Sequence, residues 1–108
     1  SSLPEPDVVV LVDGFDDTRG QLPRGTDCLL VVEVAQTSHR RDRAKADIYA
    51  HIGVPEYWML DLVNKRVERH CRPMDGERYA STEVLAADAT LTLPETEVHC
   101  TVASLFGD

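Results

Sequence analysis

A polar segment with helical character separates two short apolar segments, and this order constrains the fold more than any other feature. The apolar segments are Asp27–Val34 and Glu56–Val63, which are rich in β-branched and aromatic side chains and match the usual length of a strand. Between them, Arg40–His51 is predicted to be a helix that Gly53 ends. Two strands joined by a crossover helix run parallel in one sheet, with a right-handed connection.

The spacing of side chains along this helix predicts which face it buries. Ala44, Ile48 and Ile52 recur every four residues and form one apolar stripe, which we expect to face the core. Lys45 and Tyr49 form a second row about 100° around the helix.

The rest of the chain predicts additional strands and several hairpins. Asp7–Val12 is a continuous β-branched segment. Arg66–Cys71 and Tyr79–Leu85 are separated by a turn at Met74-Asp75-Gly76, where Asp-Gly is a strong hairpin signal. Three short segments complete the chain: Thr90–Leu93, Val98–Val102 and a closing turn at Ser104–Phe106. We therefore predict an α/β fold: a mixed sheet with one crossover helix and an antiparallel, hairpin-rich C-terminal half, in one domain of 108 residues.

Composition limits the cellular setting and the type of partner. The net charge is −8, from 11 basic and 19 acidic residues, which argues against a protein that coats nucleic acid with a basic face. No apolar stretch is long enough to span a bilayer, and the first residues do not resemble a signal peptide. Cys28, Cys71 and Cys100 have no CxxC spacing, so we expect free thiols, no membrane contact and a cytoplasmic location.

Two acidic residues lie at strand ends, where a metal ion could be held. Asp7 opens the first strand, and Glu33 lies near the end of the second, inside an otherwise apolar segment. A carboxylate there costs desolvation free energy unless it is paired, protonated or bound to metal. Acidic groups at the ends of adjacent strands can converge on one hard cation. Lys45, on the helix that follows, is expected to fold back over Glu33 and to stabilise charge on a phosphate.

Each of these residues also has a purely structural interpretation. Asp7 could simply initiate a turn after a proline. Glu33 could form a structural ion pair with a cationic side chain of the helix, and an isolated lysine is most often a solvated helix residue. The candidate cationic partners of this ion pair are Arg40, Arg41 and Lys45.

The chain resembles a known family at three places. These are Pro6–Val10 (P-D-V-V-V), Leu30–Val34 (L-V-V-E-V) and Asp42–Asp61, in which Gly53–Asp61 (G-V-P-E-Y-W-M-L-D) is the most specific part. The closing S-L-F also fits. Together they resemble the Uma-type putative restriction endonuclease family of the PD-(D/E)XK nuclease superfamily, over essentially the whole chain.

The resemblance implies a restriction-endonuclease-like core with Mg²⁺ or Mn²⁺ at the site. Asp7 and Glu33 match the acidic residues of the superfamily motif, whereas the usual lysine two residues after the Glu is replaced by Ala35. In this family the lysine comes from the helix, which corresponds to Lys45. Asp42 and Tyr49 would lie on the same helix near the site. The resemblance also implies an N-terminal helical segment ahead of Pro6, which these residues do not include.

Our hypothesis is a magnesium-dependent endonuclease that hydrolyses DNA. Asp7 and Glu33 would bind the metal with the Val34 carbonyl as a third ligand, and Lys45 would assist the water or the transition state. Tyr49 or Gln36 would position the phosphate. A homodimer is a further expectation, because cleavage of both strands needs two sites. The alternative is a catalytically inactive nuclease-fold module for binding or assembly, which the acidic charge favours.

Overall fold

The computed structural model describes residues 6–16, 20–36 and 39–107, except for the side chains of 39–43. Its main element is a five-stranded mixed sheet, in the order β1-β2-β3-β4-β5. The strands are β1 (Val8–Leu11), β2 (Cys28–Ala35), β3 (Glu56–Asp61), β4 (Arg66–Met74) and β5 (Arg78–Leu85). Helix α1 (His39–His51) connects β2 to β3, and these two strands are parallel, as the sequence predicted. All other neighbouring strands in this sheet are antiparallel.

The C-terminal part of the chain forms a second, smaller layer. A two-stranded antiparallel sheet pairs β6 (Thr90–Thr92) with β7 (His99–Thr101), and helix α2 (Val102–Leu105) follows directly. The Thr101 side chain caps α2 by accepting a hydrogen bond from the backbone N–H of Ser104. The predicted closing turn is therefore one short helical turn, and the predicted α/β class with a hairpin-rich C-terminal half is confirmed.

Apolar side chains cover both faces of the main sheet. On one face, Val31, Tyr57 and Met59 pack beneath α1. On the other face, Leu30 and Trp58 belong to a separate cluster that also contains residues of the C-terminal layer. The central strand β3 is buried along its whole length, because it has layers on both sides and a paired strand at each edge.

The face of α1 that packs on the sheet differs from the predicted one. Ala46, Tyr49 and Ala50 are buried, whereas Ile48 is 47% exposed. Positions 46, 49 and 50 also satisfy helical spacing, so periodicity alone allows either stripe. The small alanine side chains let the helix lie close to the sheet, and the Tyr49 ring fills the space between them. The prediction that the stripe faces the core was therefore wrong for Ala44 and Ile48, which are exposed, whereas Ile52 packs against the core.

Among the described residues, no helix combines the length and the apolar character that a bilayer span requires.

Candidate active site

Strand pairing places Asp7 beside Glu33. Val8 is the partner of Val32 in the antiparallel β1–β2 ladder, so Asp7, one residue earlier, lies at the level of Glu33. The Asp7 carboxylate oxygen Oδ2 accepts a hydrogen bond of 2.7 Å from the backbone N–H of Val34. This bond holds an exposed carboxylate at the carboxyl end of β2. The two acidic residues singled out by the sequence are therefore neighbours at one end of the sheet.

Glu33 is buried and forms an ion pair with the helix. Glu33 is only 5% exposed, and its side chain lies on the face of the sheet that α1 covers. The Lys45 ammonium Nζ lies 3.2 Å from Glu33 Oε1, and the Lys45 side chain is 39% exposed. Lys45, one of the three cationic partners considered from the sequence, therefore forms the ion pair with Glu33. The side chains of Arg40 and Arg41, like that of Asp42, lie outside the described residues.

The second carboxylate oxygen of Glu33 is in a different situation. Glu33 Oε2 is buried and has no hydrogen-bond partner among the described residues. A buried carboxylate oxygen without a partner is costly, because it has lost water and gained nothing in exchange. An ionised Glu33 in this position is therefore only partly compensated by Lys45.

Tyr49 lies beneath this carboxylate rather than at the surface. The residue is 0% exposed, and its ring packs on Tyr57 with centroids 5.0 Å apart. Burial raises the pKa of the Tyr49 hydroxyl most. The charge of Glu33, a hydrogen-bond interaction with Glu33 and the charge of Asp7 raise this pKa further. A fully buried hydroxyl has no surface to offer a phosphate, so the predicted role of Tyr49 in positioning phosphate does not fit this conformation. Gln36, directly after β2, is exposed.

These residues satisfy the requirements of a hard cation such as Mg²⁺. Mg²⁺ is usually bound by one or two carboxylates together with water and substrate oxygens. Asp7 and Glu33 supply two carboxylates. Together with the Lys45 ammonium, the three side chains have a formal charge of −1, which attracts a cation. Within the described residues there is no cluster of three or more His, Cys, Asp or Glu side chains.

The sequence profile of the Uma2 family, described as putative restriction endonuclease, matches residues 1–103. This chain belongs to that family. A solved structure, a putative nuclease belonging to DUF820 from Anabaena variabilis ATCC 29413, superposes with a TM-score of 0.59 and 21% sequence identity. The match covers 74% of this chain but only 44% of that one, so this chain accounts for less than half of its solved relative. No curated protein is similar enough to count as a relative.

These findings confirm the family and the fold that the sequence motifs predicted. At this level of identity the solved structure supports the fold alone, and the family description carries the indication of a nuclease. Neither comparison favours the alternative of an inactive binding or assembly module.

The fold also explains the most specific part of the Uma2 motif. Asp61, its last residue, is buried at the end of β3. Its carboxylate oxygen Oδ1 accepts hydrogen bonds of 3.0 and 3.1 Å from the backbone N–H groups of Val63 and Asn64. The other oxygen, Oδ2, lies 3.4 Å from Arg66 Nε. Asp61 therefore holds the turn between β3 and β4.

A buried polar network on β4 and β5 was missed by the sequence reasoning. The imidazole Nε2 of His70 lies 2.8 Å from Glu68 Oε1, and His70 Nδ1 lies 3.0 Å from the Thr82 hydroxyl. Glu68 and His70 are both buried. The available signal was the i, i+2 spacing of Glu68 and His70, which puts both on one face of a strand. Met59 separates Glu68 from Glu33 in the strand register, so the network lies beside the site.

Proposed function

We propose that this chain is the catalytic part of a divalent-metal-dependent nuclease that hydrolyses phosphodiester bonds of DNA. The observation that carries the proposal is the buried Glu33 carboxylate, paired with Lys45 and adjacent to Asp7. An acidic residue inside an apolar strand contributes nothing to packing, and the family is one of putative restriction endonucleases. A metal site would explain both the acidic residue inside the apolar strand and the nuclease description of the family.

Asp7, Glu33 and the Val34 carbonyl would hold the metal. The N–H and the C=O of one strand residue point to the same side of the strand. The Val34 N–H already binds Asp7, so the Val34 carbonyl faces the Asp7 side as well. Bound there, the cation would supply Lewis-acid polarisation of the phosphate and a bound water of lowered pKa.

Lys45 would act on the phosphate from the helix side. The position two residues after Glu33, where the superfamily usually has its lysine, is Ala35, which is buried. The Lys45 side chain reaches Glu33 from α1 and remains partly exposed, so its ammonium can also meet an incoming phosphate. In the reaction, water adds to phosphorus and one P–O ester bond breaks, giving a phosphate monoester and a free hydroxyl. Lys45 would stabilise the negative charge that grows on the phosphoryl oxygens.

The acidic composition limits how DNA can be bound. With a net charge of −8, overall electrostatic attraction to DNA is absent, and affinity must come from a local region. We propose that two copies act together, because cleavage of both strands needs two sites.

A plasmid-nicking assay tests the proposal. Supercoiled DNA is incubated with Mg²⁺, with Mn²⁺ or with chelator, using the wild-type chain, Glu33→Gln and Glu68→Gln. Glu68→Gln is a matched control, because it also neutralises a buried carboxylate on the same face of the sheet. We expect metal-dependent cleavage by the wild type and by Glu68→Gln, and loss of at least about 100-fold in Glu33→Gln. Equal cleavage by Glu33→Gln, cleavage in chelator, or an inactive wild type would contradict the proposal. A parallel reaction with RNA tests the choice of substrate.

A further inference from the structure

Two buried polar atoms without partners meet beneath the candidate site. Glu33 Oε2 and the Tyr49 hydroxyl are both fully buried, and among the described residues neither forms a hydrogen bond. One is an acceptor and the other can donate. Lys45, one helical turn before Tyr49 on α1, lies 3.2 Å from Glu33 Oε1, so the Tyr49 ring descends next to the same carboxylate. A hydrogen-bond interaction with Glu33 contributes to the raised pKa of the phenol, although Oε2 and the hydroxyl do not meet the full geometry of a formed hydrogen bond. A small adjustment would satisfy both atoms at once.

The position of the Tyr49 ring is fixed by a row of rings between α1 and the sheet. Tyr49 packs on Tyr57, and Tyr57 stacks on His70 with ring centroids 5.5 Å apart. His70 in turn packs on Tyr79, with ring centroids 5.7 Å apart. At the far end, the Tyr79 hydroxyl donates a hydrogen bond of 2.8 Å to the carbonyl of Val54. The Tyr49 hydroxyl is therefore held in place by close packing and cannot turn to solvent.

We propose that Tyr49 is a positioning residue that acts through Glu33, by donating its hydroxyl to Oε2 when a metal ion is bound at the site. This inference rests on the proposed function, because it assigns a role within the same metal site. The hydrogen bond would hold one carboxylate oxygen on the buried side, so that Oε1, the oxygen nearest Lys45, is the one presented to the cation. A tyrosine hydroxyl carries its proton at neutral pH and can therefore act as the donor.

The physical basis is the same as for other residues that support metal ligands. A ligating side chain loses affinity for the metal when nothing fixes its orientation, and loss of such a supporting hydrogen bond typically costs about 10–100-fold in metal affinity. Without metal, the same hydroxyl is a buried polar group with no partner, which lowers stability. The proposal therefore predicts that Tyr49→Phe weakens metal binding but does not lower the stability of the metal-free chain.

The test compares Tyr49→Phe with Tyr79→Phe, two variants that each remove one hydroxyl from the same row of rings. Mn²⁺ binding is measured by titration calorimetry, and the stability of the metal-free chain by urea unfolding. We expect Tyr49→Phe to bind Mn²⁺ about 10-fold more weakly while its metal-free stability stays equal or rises. We expect Tyr79→Phe to bind Mn²⁺ as tightly as the wild type and to be less stable without metal, because it loses the formed hydrogen bond to the Val54 carbonyl.

The outcomes separate this inference from the proposed function. If the wild type binds Mn²⁺ and Glu33→Gln does not, while Tyr49→Phe binds as tightly as Tyr79→Phe, the metal site stands and the role of Tyr49 is refuted. If Tyr49→Phe loses both stability and affinity, the hydroxyl has a structural role only, which also refutes the inference. If the wild type binds no Mn²⁺, both the inference and the proposed metal site are wrong.

Discussion

Removing the Lys45 ammonium should destabilise the protein more than removing the charge of Glu33. In Lys45→Met, the 6% exposed Glu33 side chain loses its ion-pair partner and cannot reach water. In Glu33→Gln, the 39% exposed Lys45 side chain can turn its ammonium to solvent. The asymmetry follows from burial, because an unpaired charge is costly only where water cannot replace its partner.

The expected size of the effect follows from the two exposures. Breaking a fully buried ion pair costs about 3–5 kcal/mol, and an exposed pair contributes about 0–1 kcal/mol. With one partner buried and the other about two-fifths exposed, we expect Lys45→Met to lower the free energy of unfolding by about 1–2 kcal/mol. This corresponds to a fall in Tm of roughly 5–10 °C for a domain of this size. Glu33→Gln should change the free energy of unfolding by less than about 0.5 kcal/mol.

Urea unfolding followed by tryptophan fluorescence measures these differences directly. Trp58 is the one tryptophan in the sequence and is buried on the central strand, so its emission reports loss of the sheet. The double variant Glu33→Gln/Lys45→Met should have nearly the stability of Glu33→Gln, since the cost of Lys45→Met depends on the charge of Glu33. The reasoning is refuted if Glu33→Gln costs as much as Lys45→Met. In that case Glu33 serves the fold as half of a structural ion pair, and its burial is no argument for a metal.

Two further predictions concern the packing around α1 and the chemistry of the buried thiol. Gly25→Ala should lower the free energy of unfolding by more than about 3 kcal/mol, because a Cβ at Gly25 would overlap the Ile52 carbonyl. Gly14→Ala has open space around its Cβ and should lower it by only about 1 kcal/mol, because of the positive φ at this position. Thermal melts of both variants check this difference. Burial, with a smaller effect of Asp27, raises the pKa of Cys28 to about 11, so the folded chain holds this proton more tightly than the unfolded chain does. The contribution of Cys28 to stability is therefore fully present below about pH 9 and is lost as the pH rises towards 11, by at most about 1.4 kcal/mol per pH unit. Measured by urea unfolding across this range, the free energy of unfolding should fall less steeply for Cys28→Ala than for the wild type.

The sequence by itself determined the order of the main elements and the most unusual residue. Apolar segments of strand length, an intervening helical segment and an Asp-Gly turn are local signals, since each depends on a few neighbouring residues. The parallel pairing of β2 with β3 followed from the crossover between them. Glu33 stood out because a carboxylate inside an apolar strand violates a local pattern that can be read without a structure.

Only the tertiary structure decided which side chains meet. Helical periodicity fixes how residues repeat around α1 but not how the helix is rotated against the sheet, so Tyr49 rather than Ile48 faces inward. The same rotation places a tyrosine hydroxyl beneath the Glu33 carboxylate, which the sequence did not predict, and it brings Lys45 to Glu33, which the sequence did predict. Glu68 and His70 became a buried pair because α1 covers that face of β4. All of these arrangements depend on packing across the interface between helix and sheet, which local patterns do not encode.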